Sequence, residues 1–257
     1  MDAVILAGGK DTSSLANSYK LNNKSLLMIN DIPMIEYVVD ALNRAQEVQN
    51  IVVVGPKLDL TTLIEKKVNK ILDSTDSIIE NIKIGIDYIN HDHKIILLTS
   101  DIPLITGEMI DDFIRKCREH EAFLFYPFIP KEIILKKYPE TIRSYAILKE
   151  GTFCGGNMVI ISRSIFDRNK LLLDEVYQKR KDIKKYINLL GMKFVVKYLF
   201  KSLTIKEIEK RAAEIVGFPV KGIMVDDPEM MIDLDKLGDY ELILQTLNPK
   251  LVNKTRQ

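Results

Sequence analysis

Short β-branched runs alternate along the chain with stretches whose apolar positions recur every three or four residues. Residues 3–6 (AVIL), 51–54 (IVVV) and 94–100 (KIILLTS) are nearly continuous apolar runs, and they lead into Gly8-Gly9, Gly55-Pro56 and Asp101. Runs of this kind predict strands buried on both faces, as in a parallel sheet. Between them, Ile35, Val38, Val39 and Leu42 fall on one face of a helix that Pro33 opens. Ile78, Ile79, Ile82, Ile86 and Ile89 repeat the pattern behind Asp76 or Ser77 as cap. The alternation predicts an α/β fold, with a mostly parallel sheet covered by helices on both faces.

The pattern changes after residue 120. LFYPFIP at 124–130 predicts a strand leaving into a loop. SYAILKEG at 144–151 and NMVIIS at 157–162 predict two more, joined by a glycine-containing turn at 151–156. Strands so close in sequence pair antiparallel, so the sheet should be mixed. Residues 163–217 predict helices almost throughout, VKGIMV at 220–225 a returning strand, and LGDYELILQTL a closing helix. This organisation suggests one domain over 1–257 with a helical insertion at 163–217.

Composition narrows the class. The 257 residues are 46% hydrophobic and 28% charged, which excludes intrinsic disorder. Two cysteines, Cys117 and Cys154, exclude a disulfide framework. The start MDAVILAGGK has no basic n-region and no cleavage site, and no apolar run is long enough to span a bilayer. A soluble, cytoplasmic protein is expected. The 37 basic and 36 acidic residues nearly cancel, so nucleic acid is not an expected partner. The charge is unevenly spread, however. Residues 163–221 carry fifteen Lys or Arg against seven Asp or Glu, an excess of eight positive charges, and the remainder has an excess of seven negative ones. A packed helical subdomain or a lid over an anionic substrate is the favoured reading of this basic segment. A dimer contact, giving a homodimer, and an interfacial helix on anionic lipid are the alternatives.

Ligands of open α/β sheets bind beyond the carboxyl ends of the strands. After the first strand comes Leu6-Ala7-Gly8-Gly9-Lys10, where two glycines let backbone N–H groups approach phosphate. The loop lacks both GxGxxG and GxxxxGK[ST], which removes dinucleotide-binding and P-loop classes. Lys24, between this loop and the first long helix, is a point charge suited to phosphate. Ser100-Asp101 ends the strongest strand, and a carboxylate there suits Mg²⁺ shared with substrate phosphates. Asp233 and Asp235 lie on one face of an extended segment, from which Asp235 and Asp101 could meet across one metal. His91-Asp92-His93 reads as a solvated loop, Arg143 as a surface residue and Cys154 as a small buried residue.

VILAGGK at 4–10, NKSLLMINDIPMIEYVVDAL at 23–42, TSDIPLIT at 99–106, GGNMVII at 155–161 and MIDLDKLGDYELI at 231–243 stand in an order that resembles the molybdenum cofactor guanylyltransferase-like (MobA-like) nucleotidyltransferases. The resemblance implies a GT-A-like, Rossmann-type three-layer fold. It implies transfer of a nucleotidyl group from an NTP to a phosphorylated acceptor, with release of pyrophosphate. Leu6, Ala7, Gly8, Gly9, Lys24, Ser77 and Ser100 would bind the nucleotide, and Asp101 and Asp235 would hold Mg²⁺. Lys24 and Asp101 would be the catalytic pair, while Tyr145, Gly156 and Asn157 would face the acceptor. Relatives commonly continue the glycine loop to a third glycine and an arginine. Here GGKDTSSLANSYKLNNK has neither, which leaves Lys10 or Lys20 to supply that charge. A glycosyltransferase of the same fold and a catalytically silent nucleotide-binding protein are the competing functions.

Overall fold

The computed structural model describes residues 1–8, 23–179 and 190–248. Eleven strands are formed among them: β1 (Asp2–Leu6), β2 (Met28–Ile29), β3 (Ile32–Pro33), β4 (Ile51–Gly55), β5 (Lys70–Asp73), β6 (Lys94–Thr99), β7 (Leu124–Pro130), β8 (Ala146–Leu148), β9 (Gly151–Gly155), β10 (Met158–Ser162) and β11 (Val220–Met224). The helices are α1 (Met34–Arg44), α2 (Lys57–Ile64), α3 (Ile78–Ile89), α4 (Gly107–Arg118), α5 (Lys131–Lys137), α6 (Arg163–Lys179), α7 (Met192–Leu199), α8 (Ile205–Val216) and α9 (Leu237–Leu247).

β2 and β3 form a small hairpin, and the other nine strands make one sheet, ordered β5-β4-β1-β6-β10-β7-β9-β8 with β11 on β7. β5, β4, β1 and β6 are mutually parallel, β10 is antiparallel to β6, and β11 is parallel to β7. Side chains alternate across the sheet as period two requires. Ala3 and Ile5 pack with Ile35, Val38, Val39, Phe113 and Ile114 of α1 and α4. Val4 faces the other way, into Ile79 and Ile86 of α3 and Ile165 and Phe166 of α6. These two buried layers are why the first strands read as unbroken apolar runs rather than alternating ones. Among the described residues no helix is long and apolar enough to cross a membrane.

The reading of the second half needs one correction. Residues 151–156, taken as a turn, are mostly strand β9, and the turn is Lys149-Glu150. Gly151 has φ +152°, a value a side-chain-bearing residue rarely adopts, so the glycine closes the hairpin from within the strand. β9 and β10 both run antiparallel to β7, while β11 pairs the same residues of β7 as β10 does and so lies on the other edge. Residues 151–162 are therefore one strand, bent at Gly156-Asn157. Its first half is flanked by β8 and its second by β6.

Candidate active site

The cleft opens over the carboxyl ends of β1 and β6. It is about 240 Å³ and is lined by Leu6, Ala7 and Gly8 after β1, by Asn23, Lys24 and Ser25, and by Thr99, Ser100 and Asp101 after β6. Asp76 and Ile78 contribute from the head of α3, and Tyr177 from α6. The buried Asn23 builds the floor. Its side-chain amide donates to the Ala7 carbonyl at 2.7 Å, and its carbonyl oxygen accepts from the Ser25 N–H at 2.8 Å. It thereby caps the short helical turn Lys24–Leu26 and ties it to the end of β1.

That turn aims Lys24 at two carboxylates. Its ammonium lies 2.8 Å from Asp101 Oδ2 and 2.6 Å from Asp235 Oδ1. Burial alone would lower the Lys24 pKa, but the Asp101 and Asp235 charges outweigh it and hold the pKa above the ordinary lysine value. The ammonium is therefore charged throughout the working pH range. Asp235 arrives on an extended segment docked by the Leu234 N–H on the Asp101 carbonyl at 2.9 Å. Leu234 is fully buried, so its neighbours Asp233 and Asp235 turn together towards Asp101. Ligand oxygens of Asp101, Asp233 and Asp235 lie within 4.8 Å of one another.

Arg143 closes the far side. Its guanidinium pairs with Asp233 and, at 2.6 Å, with Asp239 Oδ1. Asp239 also accepts from the Lys236 N–H at 2.9 Å, at the start of α9. Burial raises the Asp233 carboxyl to about 6, with the Asp235 charge adding and Arg143 opposing. For Asp235, burial is outweighed by the bond to Lys24, which holds its pKa low. Among the described residues, four carboxylates here face two cations, and Asp101 Oδ1 is buried with no hydrogen-bond partner. An excess of negative charge around an unpartnered carboxylate oxygen is what a divalent cation relieves, so these residues fit one.

The MobA-like NTP transferase domain model matches residues 3–187. The chain belongs to this family. A hypothetical transferase from Thermus thermophilus is 30% identical and superposes with a TM-score of 0.83, covering 93% of this chain and 98% of that one. CMP:2-keto-3-deoxy-manno-octonic acid synthetase complexed with CTP shares the fold, with TM-score 0.61 and 13% identity over 97% of this chain and all of that one. The bifunctional protein GlmU of Thermodesulfovibrio yellowstonii is 28% identical over 155 residues, which are 59% of this chain but only 31% of that protein. This chain thus matches less than a third of GlmU's length. The chain is thus an NTP transferase domain of the MobA-like family.

In this MobA-like domain the expected residues divide into three groups. Leu6, Ala7, Gly8, Lys24, Ser100 and Asp101 all line the cleft, and Asp235 reaches it through Lys24. Gly9, Lys10 and Lys20 lie outside the described residues. Ser77 caps α3 by accepting the Glu80 N–H at 3.3 Å, and its neighbours Asp76 and Ile78, rather than Ser77, line the cleft. Gly156 and Asn157 form the bend between β9 and β10. The Asn157 carbonyl accepts from the Thr99 N–H at 3.1 Å, next to Ser100-Asp101. Tyr145 lines a second cavity.

Two expectations are corrected. The Arg143 side chain is only 7% exposed and braces the acidic cluster, so it is not a surface residue. His91 bonds Asp2 Oδ2 at 2.7 Å and pins the start of β1, so it is not merely solvated. Asn23 was not singled out, although an Asn directly before a short helical turn is a cap signal. Nothing local marks Arg143, whose partners lie 90 and 96 residues away.

Proposed function

We propose that this domain transfers a nucleoside monophosphate from an NTP to a phosphorylated small-molecule acceptor, releasing pyrophosphate, with Mg²⁺ held by Asp101 and Asp235. The observation that carries the reading is the Lys24–Asp101–Asp235 constellation at the mouth of a cleft floored by the backbone of residues 6–8. The backbone at Ala7 and Gly8, with Ser100, would receive the nucleotide. Gly9, Tyr145, Gly156 and Asn157 keep their proposed roles at the phosphates and the acceptor.

An acceptor phosphate is already ionised at neutral pH, so no general base is needed. An oxygen of that phosphate attacks the α-phosphorus and forms the new P–O bond. The bond from the α-phosphorus to the bridging oxygen breaks, and its electron pair leaves with pyrophosphate. The domain's task is alignment and charge compensation. Bound Mg²⁺ would neutralise phosphate oxygens beside Asp101 and Asp235, and an Asp233 oxygen lies within 4.8 Å of theirs. Lys24, charged at every working pH, supplies a second positive centre. Arg143 is committed to Asp233 and Asp239 and holds the carboxylates in place. The buried, unpaired cysteines Cys117 and Cys154 agree with a reducing, cytoplasmic setting.

The test is pyrophosphate release over a panel of NTPs and phosphorylated acceptors, with Asp101→Asn alongside. The variant should lose at least about 100-fold in turnover, the scale of one electrostatic contact to a transition state. Its melting temperature should stay within a few degrees of the parent's. Undiminished turnover in a folded variant would overturn the assignment. NTP binding without release of pyrophosphate with any acceptor would favour the silent nucleotide-binding reading.

A further inference from the structure

A surface helix buries its apolar side and turns charged residues outward. α4 does so: its exposed residues are Glu108, Arg115 and Arg118. α7 does not. Its inner side carries Phe194, packed on the cluster of Leu148, Phe153 and Leu203, and the Lys197 ammonium pairs with Glu207 of α8. These contacts anchor the helix on the body, yet its outer side is apolar as well. Met192, Val196 and Leu199, spaced four and three residues apart, share one face, and Phe200 continues it past the last turn. Met192 is 65% exposed, Leu199 72% and Phe200 78%. Large apolar side chains grouped in contact with water mark a surface that meets a partner.

The charge around this face selects the partner. Residues 183–206 hold six lysines and no Asp or Glu. Lys193, near the start of α7, and Lys201, just past its end, are exposed and make no ion pair among the described residues. A partner that takes up apolar side chains and also bears negative charge is the headgroup region of an anionic bilayer. A second copy of this chain fits less well. In a two-fold contact the face would meet itself, lysines included, with no carboxylate of residues 183–206 to pair them. Nucleic acid offers the charge but no apolar phase for Leu199 and Phe200.

The end of the helix suits such a layer. A helix leaves its last carbonyls open, and an open carbonyl is costly away from water. Here the Val196, Lys197 and Tyr198 carbonyls accept the N–H groups of Phe200, Ser202 and Lys201 at 3.0, 2.8 and 3.0 Å. The Ser202 hydroxyl adds a second bond to the Lys197 carbonyl at 3.1 Å. The tip that carries Leu199 and Phe200 therefore presents little unpaired backbone. We propose that α7 is an interfacial helix, which docks this protein on an anionic membrane surface through Met192, Val196, Leu199 and Phe200, with Lys193 and Lys201 on the headgroups. The contact is peripheral, and it stands independently of nucleotidyl transfer. It gives the basic excess of residues 163–221 a charged surface to meet.

The chain has no tryptophan, so Phe200→Trp introduces a single reporter within the proposed contact. The full chain carrying it is mixed with vesicles of phosphatidylcholine alone and with vesicles of equal phosphatidylcholine and phosphatidylglycerol. The anionic vesicles should sediment the protein and shift the tryptophan emission to the blue, and the phosphatidylcholine vesicles should do neither. Raising the salt from about 0.1 M to about 1 M, which shortens the screening length from about 10 Å to about 3 Å, should weaken the binding. In the parent chain, Leu199→Ser with Phe200→Ser should weaken it at least about tenfold, less than the full burial of two large apolar side chains would give. Lys193→Gln with Lys201→Gln should weaken it and flatten its salt dependence. All four positions are exposed, so both double variants should keep the parent's melting temperature. Sedimentation by neither kind of vesicle, or by both equally, would overturn the inference. So would binding without a blue shift, which would put the contact elsewhere on the molecule. A parent dimer that Leu199→Ser with Phe200→Ser turns into monomers, without vesicle binding, would also overturn it and make the face a contact between copies.

Discussion

At Gly8 the absence of a side chain answers to packing as well as to a ligand. A Cβ built there would come within 2.2 Å of Ser74 Cβ and 2.7 Å of the Asn81 amide nitrogen. The colliding Ser74 atom is not the far end of a flexible chain, so the backbone would have to move. Gly8→Ala should therefore cost about 1–3 kcal/mol, the usual range for overpacking. Ser74→Gly in the same chain should recover most of it, because it removes the two closest clashing atoms without touching the cleft and leaves only the Asn81 amide to shift. Urea denaturation of the two single variants and the double variant measures this coupling. Additive losses would mean that the strain lies elsewhere. If NTP affinity falls in Gly8→Ala and stays low in the rescued double variant, the glycine also serves close approach of phosphate, as its place after β1 suggests. The two demands on Gly8 cannot be told apart in a sequence, since Gly-Gly after a strand looks the same for either.

The elements differ in how plainly they announce themselves, and burial is the reason. β1, β4 and β6 are covered on both faces, so their sequences are unbroken apolar runs that stop where the loops bearing Gly8 and Asp101 begin. Asp101 could be singled out because it stands at such a stop, Lys24 because it lies between the glycine loop and the first long helix, and Asp235 because it alternates with apolar residues on an extended segment. β5 lies at the sheet's edge with only Ile71 buried, and KILD carries no comparable signal. β9 is bounded by Gly151 and Gly155, whose turn chemistry masks a strand. Arg143 was legible least of all, because its position depends on the chain between β7 and β8 meeting the segment 233–239. α8, by contrast, has a complete capping box: Thr204 accepts the Glu207 N–H, and Glu207 accepts the Thr204 N–H at 3.1 Å. Its pairing with Lys197, reinforced by the Thr204 N–H, depresses the Glu207 carboxyl to about 2. A depressed acid stabilises the fold above its unfolded pKa, here near 4.5, and that contribution fades as the pH falls towards 2. Glu207→Gln should therefore lower the melting temperature at pH 7. The gap from the parent should narrow steadily between pH 4.5 and 3. A gap independent of pH would show that the box works through hydrogen bonding alone.

For the whole molecule, the question is whether residues 163–217 form an appendage or part of one cooperative unit; we propose the latter. The segment's charge suggests independence, since it carries the basic excess while the remainder is acidic. Its first turn argues otherwise. Ile165 is fully buried and Phe166 is 1% exposed, packed in one cluster with Val4 of β1, Val52 of β4 and Ile86 of α3. Arg163 adds bonds to the Ile86 carbonyl at 3.3 Å and Asp87 at 3.1 Å. At the other end α8 packs on β11, and the Asn169 side-chain amide of α6 donates to the Val216 carbonyl at 2.8 Å. The segment thus packs on β10 and on α3, completing the layer that α3 begins over β1 and β4, and without it Ile161 and one side of α3 would face water. Phe166→Ala should cost about 3–5 kcal/mol, as for other buried aromatic truncations. With about 2–4 °C per kcal/mol for a chain of this size, the melting temperature should drop by roughly 6–20 °C. Calorimetry should show a single transition before and after the substitution, with matching calorimetric and van't Hoff enthalpies. Two resolved transitions, of which only the smaller moves in Phe166→Ala, would make the helices a separable body. In a single cooperative unit, helices α6 and α8 and the strands β1 and β6 that lead into the cleft gain and lose their geometry together.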